Sequence, residues 1–154
     1  MTANATVLCS RKVMQRSPRR TFVLVSDAEC NEGALWEAAM FAAHHMLANL
    51  VAIVDANGQQ ALGYTADVLD LAPIGDRFRA FGWDVHDVDG HDVALLARVI
   101  EGLDMDSGPP HVLVAETTFG KGVSFMEGLI EWHYLPLTDA QFRAGMAELE
   151  GAEA

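Results

Sequence analysis

Residues 21–58 read TFVLVSDAECNEGALWEAAMFAAHHMLANLVAIVDANG. Phe22-Val23-Leu24-Val25 is a compact apolar run that ends at Ser26-Asp27. Leu35, Ala38, Ala39, Ala42 and Met46 then recur at the spacing of one helix face, which predicts a helix over 33–47. Leu50-Val51-Ala52-Ile53-Val54 is a second continuous apolar run, closed by Asp55-Ala56-Asn57-Gly58. Short runs with no polar alternation suit strands of a parallel sheet that is covered on both faces.

The same alternation continues downstream. Gly58 and Gly63 bracket a loop, residues 73–81 predict a short helix, and 83–88 predict a third strand. After a turn at Asp89-Gly90, Val93, Leu96, Val99 and Ile100 mark a helix over 91–103. The loop at 107–110 leads into a fourth strand, His111 to Ala115, and a glycine-bearing loop at 117–122 follows. The tail, 138–149, has the pattern of an amphipathic helix with Thr138 as N-cap and Gln141 three residues on. No internal repeat and no low-complexity segment interrupts the pattern. The expected architecture is α/β, an open and mostly parallel sheet with helices on both faces. Ligands gather beyond the carboxyl ends of strands in such sheets. Asp27, Asn57, His91 and Lys121 each follow one of the four expected strands.

Composition narrows the classes of function. The chain has 154 residues, 51% of them apolar and 21% charged, enough for one domain with a hydrophobic core. No apolar run reaches the roughly 18–20 residues of a membrane span, and the N-terminus lacks the pattern of a secretory signal. Cys9 and Cys30 form no CxxC pair, so a reducing, cytoplasmic setting is expected. A net charge of -12 argues against nucleic acid as the main partner. Five of the ten basic residues (Arg11, Lys12, Arg16, Arg19 and Arg20) lie in the first twenty, which carry no acid. The rest of the chain sets five basic against 22 acidic residues, a net -17. Residues 1–20 are therefore expected to be a flexible basic arm, solvated or docked on an acidic partner chain, and 21–154 the folded domain.

Asp27, at the end of a strand and beside the mouth of a helix, can act as a hard oxygen ligand while backbone N–H groups face a diphosphate. Asn57 ends the next expected strand thirty residues later. If the two strands are neighbours, both side chains meet in one crevice. Taken by themselves these residues fit a helix cap and an Asn-Gly turn equally well.

The surroundings point further. Ser26-Asp27-Ala28-Glu29-Cys30-Asn31-Glu32-Gly33, closed by Val54-Asp55-Ala56-Asn57-Gly58, resembles the thiamine diphosphate motif of transketolases. Phe81-Gly82-Trp83-Asp84-Val85, Val88-Asp89-Gly90-His91-Asp92, Thr117-Thr118-Phe119-Gly120-Lys121-Gly122 and Glu131-Trp132-His133 resemble later family segments, in order. The likeness runs from Thr21 to Leu149 and is greatest to the N-terminal subunits of two-chain transketolases. It implies the thiamine diphosphate-binding fold, present here as the C-terminal half of such a subunit. By that resemblance Asp27, Asn57 and the backbone carbonyl of Gln59 would hold Mg²⁺ (or Ca²⁺). Ala28 and Glu29 would lie beside the diphosphate, Glu32 and Glu37 would join a hydrogen-bonded network linking paired sites, and His133 would move protons at the reacting carbon.

The resemblance further implies a subunit that transfers a two-carbon ketol unit from a ketose to an aldehyde and is inactive alone. Companion chains would supply an N-terminal half and a pyrimidine-binding domain. The competing readings are a non-catalytic assembly or regulatory partner, and a component of a 2-oxoacid dehydrogenase or decarboxylase. The family's Gly-Asp-Gly is Ser26-Asp27-Ala28 here, which is tolerable where the backbone keeps negative φ. Other features have simpler readings. One of His44 and His45 is expected to pack and the other to face water, with no second metal cluster in the sequence. Met40, Met46, Trp36 and Phe41 suit core or interface packing. Glu37 could be an ordinary surface residue, Lys121 a solvated loop lysine or a phosphate contact, and 89–92 a turn plus a helix cap.

Overall fold

The computed structural model describes residues 19–152; most of the expected basic arm, with Arg11, Lys12, Arg16 and Cys9, lies outside the described residues. Four strands form one parallel sheet: β1 (Thr21–Ser26), β2 (Leu50–Ala56), β3 (Asp84–Asp89) and β4 (His111–Glu116). Their spatial order is β1-β2-β4-β3. The β1–β2 register aligns Val25 with Val54 and Ser26 with Asp55, so the two strands end level with each other. Asp27 and Asn57 thereby come out on one edge of the sheet.

Helix α1 (Gly33–His44) and helix α2 (Ile74–Ala80) cover one face. There Val25, Ala52, Val54, Val112 and Val114 meet Leu35, Ala39, Ala42 and Phe78. The small alanines let α1 lie close to the sheet, and Phe78 sits between Trp36 and Trp83 at ring distances of 5.1 and 5.2 Å. Helix α3 (Val93–Glu101) covers the other face over Val51, Val88, Leu113 and Ala115. Val51, Val54, Val112 and Leu113 are fully buried. Removing side chains of this size from water contributes about 1.5–3 kcal/mol each, which makes β2 and β4 the centre of the fold. Alternation follows from the pleat: Asp84, His86 and Val88 face α3's side, while Val85 and Asp87 face α2.

The termini of the elements refine the sequence reading. α1 stops at His44 rather than at position 47, because the chain closes in a Schellman turn with Met46 at φ 50°. Leu47 N–H donates to Ala42 O and Met46 N–H to Ala43 O, which turns Leu47 into the core. Met46 therefore lies outside the helical stripe and is 57% exposed, and Met40 is 48% exposed, so neither is core in this chain. His44 and His45 are both exposed, His45 resting on Phe41, so the expected division between them does not occur. The loop expected between Gly58 and Gly63 holds a small antiparallel ribbon, Gln59–Gln60 against Gly63–Tyr64. Helix α4 (Asp139–Ala152) opens with the expected capping box: Gln141 N–H donates to Thr138 Oγ1, and Thr138 N–H to Gln141 Oε1.

On the face that α3 covers elsewhere, β1 leaves Phe22 (49%) and Leu24 (65%) exposed. Among the described residues no helix is long and apolar enough to cross a membrane.

Candidate functional site

Asp27 follows β1 and is buried. Its Oδ2 accepts a 2.7 Å hydrogen bond from Gly58 N–H, and its own N–H donates to Asp55 O. Its Oδ1 has no partner. Burial pushes the Asp27 carboxyl above the ordinary aspartate value of 3.8, against the Gly58 and Ala28 N–H groups, which pull it down. Asn57 stands in the same crevice, with Thr65, Gly75, Asp87 and Thr117 on its walls. Its Oδ1 accepts from Gln59 N–H at 2.9 Å, which uses one of two lone pairs, and its Nδ2 donates to Asp55 Oδ2. Asp55 accepts a short hydrogen bond from Thr117 Oγ1 as well, tying β2's end to the loop after β4.

Among the described residues, three buried side-chain polar atoms lack a partner: Asp27 Oδ1, Gln59 Oε1 and Gln60 Nε2. Gln59 and Gln60 follow Asn57 in the chain and form the first strand of the ribbon. Buried polar groups in folded proteins are nearly always paired, and an orphan costs about 1–3 kcal/mol, more when charged. An orphaned, buried carboxylate oxygen such as Asp27 Oδ1 can accept a cation or a donor from a bound group. One carboxylate oxygen, one amide oxygen and nearby carbonyls form a hard oxygen donor set that suits Mg²⁺ or Ca²⁺.

Ser26 and Ala28 impose no backbone penalty. Met46 is the one non-glycine residue at positive φ among the described residues, so neither position needs a glycine's freedom. Ala28 opens a 3-10 turn, Ala28–Asn31. Glu29, expected beside the diphosphate, has its side chain on the strand end: its Oε2 accepts from Ser26 N–H at 3.0 Å, and its N–H donates to Ser26 Oγ. Glu32 is the N-cap residue of α1, and Glu37 lies on the same helix's outer surface; both are exposed. Cys30 is a buried thiol pushed up to about 12, chiefly by burial, and so is no nucleophile at neutral pH.

The loop after β4 carries the remaining candidates. His133 closes a 3-10 turn, Ile130–His133, that packs against the Gln59–Gln60 ribbon. Its exposed ring lies 4.5 Å from Phe119 at 30°, a near-stacked contact. Phe119 in turn lines a cleft with Asn57, His91 and Leu24. Asn57 and Thr117 line both this cleft and the crevice of Asp27. Lys121 pairs with Glu127 at 3.4 Å. Glu127 sits below the usual carboxylate range because Gly122 N–H donates to it and Lys121 lies beside it. His91 Nε2 accepts from Thr118 N–H at 2.8 Å, while Asp92 caps α3 through Leu95 N–H. The 89–92 segment is thus a turn and a cap, as its simpler reading has it. Asp55 and Thr117, which hold Asn57 in place, were not singled out by sequence reading; nothing in their spacing, 62 residues apart, announces the bond.

The sequence match and the fold agree. Residues 3–150 match the family model described as transketolase, thiamine diphosphate binding domain. The chain belongs to the transketolase family. The match begins inside the stretch expected to be a separate arm. An apulose-4-phosphate transketolase subunit of Phocaeicola vulgatus is 40% identical over 136 residues, covering 88% of this chain and 48% of that protein. The 6-deoxy-6-sulfo-D-fructose transketolase subunit SqwG of a Clostridium species is 39% identical over 137 residues, covering 89% and 50%. The chain spans about half the length of these curated relatives. The crystal structure of transketolase from Campylobacter jejuni superposes with a TM-score of 0.82 at 24% identity, covering 97% of this chain and 24% of that one. This likeness confirms the α/β fold.

Proposed function

We propose that this chain forms the cation and diphosphate end of the cofactor site in a multi-chain, transketolase-like transferase. The enzyme would move a two-carbon ketol unit from a ketose to an aldehyde. The observation that carries this reading is the partnerless, buried Oδ1 of Asp27 beside Asn57. Asp27, Asn57 and the Gln59 carbonyl would hold Mg²⁺ or Ca²⁺, with the diphosphate completing the coordination. When bound, thiamine diphosphate supplies a carbon nucleophile and an electron sink, leaving binding, orientation and proton movement to the protein.

His133 would carry out that proton movement. Phe119 supports one face of its imidazole, a group that can both accept and donate a proton. Glu32 and Glu37 would meet a paired site across an interface between chains. The exposed Phe22 and Leu24 support cover by further polypeptide, as does the half-length match to relatives named as subunits. Such polypeptide would bring the pyrimidine-binding domain and the rest of the pocket. A cytoplasmic location fits the free Cys30 thiol.

The test is a ketol-transfer assay on the chain purified with its companions. His133→Ala should retain cofactor affinity and lose about 10²–10⁴-fold in turnover, the usual worth of a positioned acid–base group. Turnover within about twofold of wild type would remove His133 from the mechanism. A complex that binds cofactor but never turns over would favour the non-catalytic reading.

A further inference from the structure

The opposite end of the sheet carries a second constellation, formed where β3 and β4 begin. Asp84 and His111 are aligned partners in the β3–β4 register, and His86 follows two residues on, on the same face as Asp84. Asp84 Oδ2 lies 3.0 Å from His111 Nδ1 and 3.1 Å from His86 Nε2. The three atoms all fall within 4.8 Å of one another.

His111 is the most buried member of the group. This side chain is only 4% exposed. Its Nε2 lies 2.9 Å from Asp104 O, a carbonyl that can only accept, so Nε2 carries the proton. In the neutral ring Nδ1 is then a lone pair aimed at a carboxylate oxygen. Two facing acceptors are bridged either by a proton, as an imidazolium–carboxylate pair, or by a metal ion, and His86 places a further ring nitrogen 3.1 Å from the same oxygen. A ligand histidine that donates its other N–H to a backbone carbonyl is the recurrent arrangement around bound metals, because it fixes tautomer and ring orientation.

We infer that Asp84, His86 and His111 form a binding site for a divalent transition metal of the zinc class. Two imidazoles and one carboxylate match that class and not the all-oxygen preference of Mg²⁺. Ligands of one tetrahedral zinc stand about 3.3 Å apart, given bond lengths near 2.0–2.1 Å. The observed 3.0 and 3.1 Å separations need adjustments of a few tenths of an ångström, while the two ring nitrogens, within 4.8 Å of each other, close by at most about 1.5 Å through rotation of the partly exposed His86. Asp84 and His86 are 46% and 29% exposed, so the ion has an entry path. The three residues line one cavity together with Arg98, Gly102, Asp104 and Ser107. An ion there would pin the start of edge strand β3 to β4 and to the loop at 104–108. The site lies at the amino ends of the strands, remote from Asp27 and Asn57 at the carboxyl ends, so the inference is independent of the cofactor reading.

The test is titration of the full, tag-free, chelator-stripped chain with Co²⁺, read by its visible ligand-field absorption, and with Zn²⁺ by calorimetry and competition. One equivalent should bind saturably with a tetrahedral spectrum. His86→Ala and Asp84→Asn, both at partly exposed positions, should each weaken binding at least about tenfold, and Asp27→Asn should leave it unchanged. Zinc should raise the melting temperature of the wild type and not of those two variants. Absence of a saturable equivalent, undiminished binding in both His86→Ala and Asp84→Asn, or loss of binding in Asp27→Asn instead, would each overturn the assignment.

Discussion

Asp27→Asn is expected to abolish metal-dependent thiamine diphosphate binding by the assembled complex while leaving the fold intact. The amide keeps an oxygen for Gly58 N–H, so the 2.7 Å contact that joins the two strand ends survives. The charge on the orphaned oxygen does not. Loss of groups one shell out from a metal typically costs 10–100-fold in affinity, so removing the charged ligand should cost at least about 100-fold. Stability should move the other way. Burial raises the folded pKa of Asp27 above its unfolded value, so its protonated form favours folding. That contribution is complete below 3.8 and is lost as pH rises through the folded pKa. At neutral pH without metal, the Asp27→Asn variant is therefore expected to be at least as stable as the wild type. In the wild type, Mg²⁺ affinity should fall with decreasing pH from above the ordinary aspartate range, because the cation needs the ionised form. Calorimetric titration and thermal melts across pH check both halves. Undiminished cofactor affinity in Asp27→Asn would refute the ligand role.

Phe78→Ala should have the largest effect on stability. Phe78 is 2% exposed and is held between Trp36 and Trp83, with Val112 and Val114 in the same cluster. Truncating a buried phenylalanine costs about 3–5 kcal/mol through lost transfer energy and the cavity left behind. For a domain of this size that lowers the melting temperature by on the order of 10 °C. The functional consequence travels along α2, whose first residues, Ile74 and Gly75, form a wall of the Asp27 crevice. Denaturant and thermal unfolding measure the loss, and a shift under about 1 kcal/mol would mean that the Trp36–Phe78–Trp83 stack is not the clamp described.

How far the sequence reaches depends on the range of the interaction. The central strands β2 and β4 were legible because each is a continuous apolar run buried on both faces, whereas β1 leaves one face exposed and β3 alternates polar residues with Val85 and Val88. The cap at Thr138 and the turn at 89–92 were legible because both are local bonds spanning two or three residues. Asp27 and Asn57 were legible as candidates, but their meeting depends on β1 and β2 being neighbours in register, which pairing energetics decide across the chain. The ribbon at Gln59–Gln60 escaped because two-residue strands leave no periodicity to read. The end of α1 escaped because Met46 occupies a backbone conformation usually given to glycine, and burial of Leu47 outweighs that local preference. Asp84, His86 and His111 escaped altogether. A register bond across 27 residues joins them, and only the strand order, with β4 between β2 and β3, sets it.

The central claim is that Asp27 and Asn57 hold the metal and diphosphate end of a pocket that other polypeptide completes. Calorimetric titration of thiamine diphosphate with Mg²⁺ tests it most directly, performed on the chain alone and on the chain purified with its companions. The account predicts saturable, chelator-sensitive binding by the assembly and markedly weaker binding by the isolated chain. No saturable binding by the assembly, or full-strength binding that ignores Mg²⁺, would contradict it.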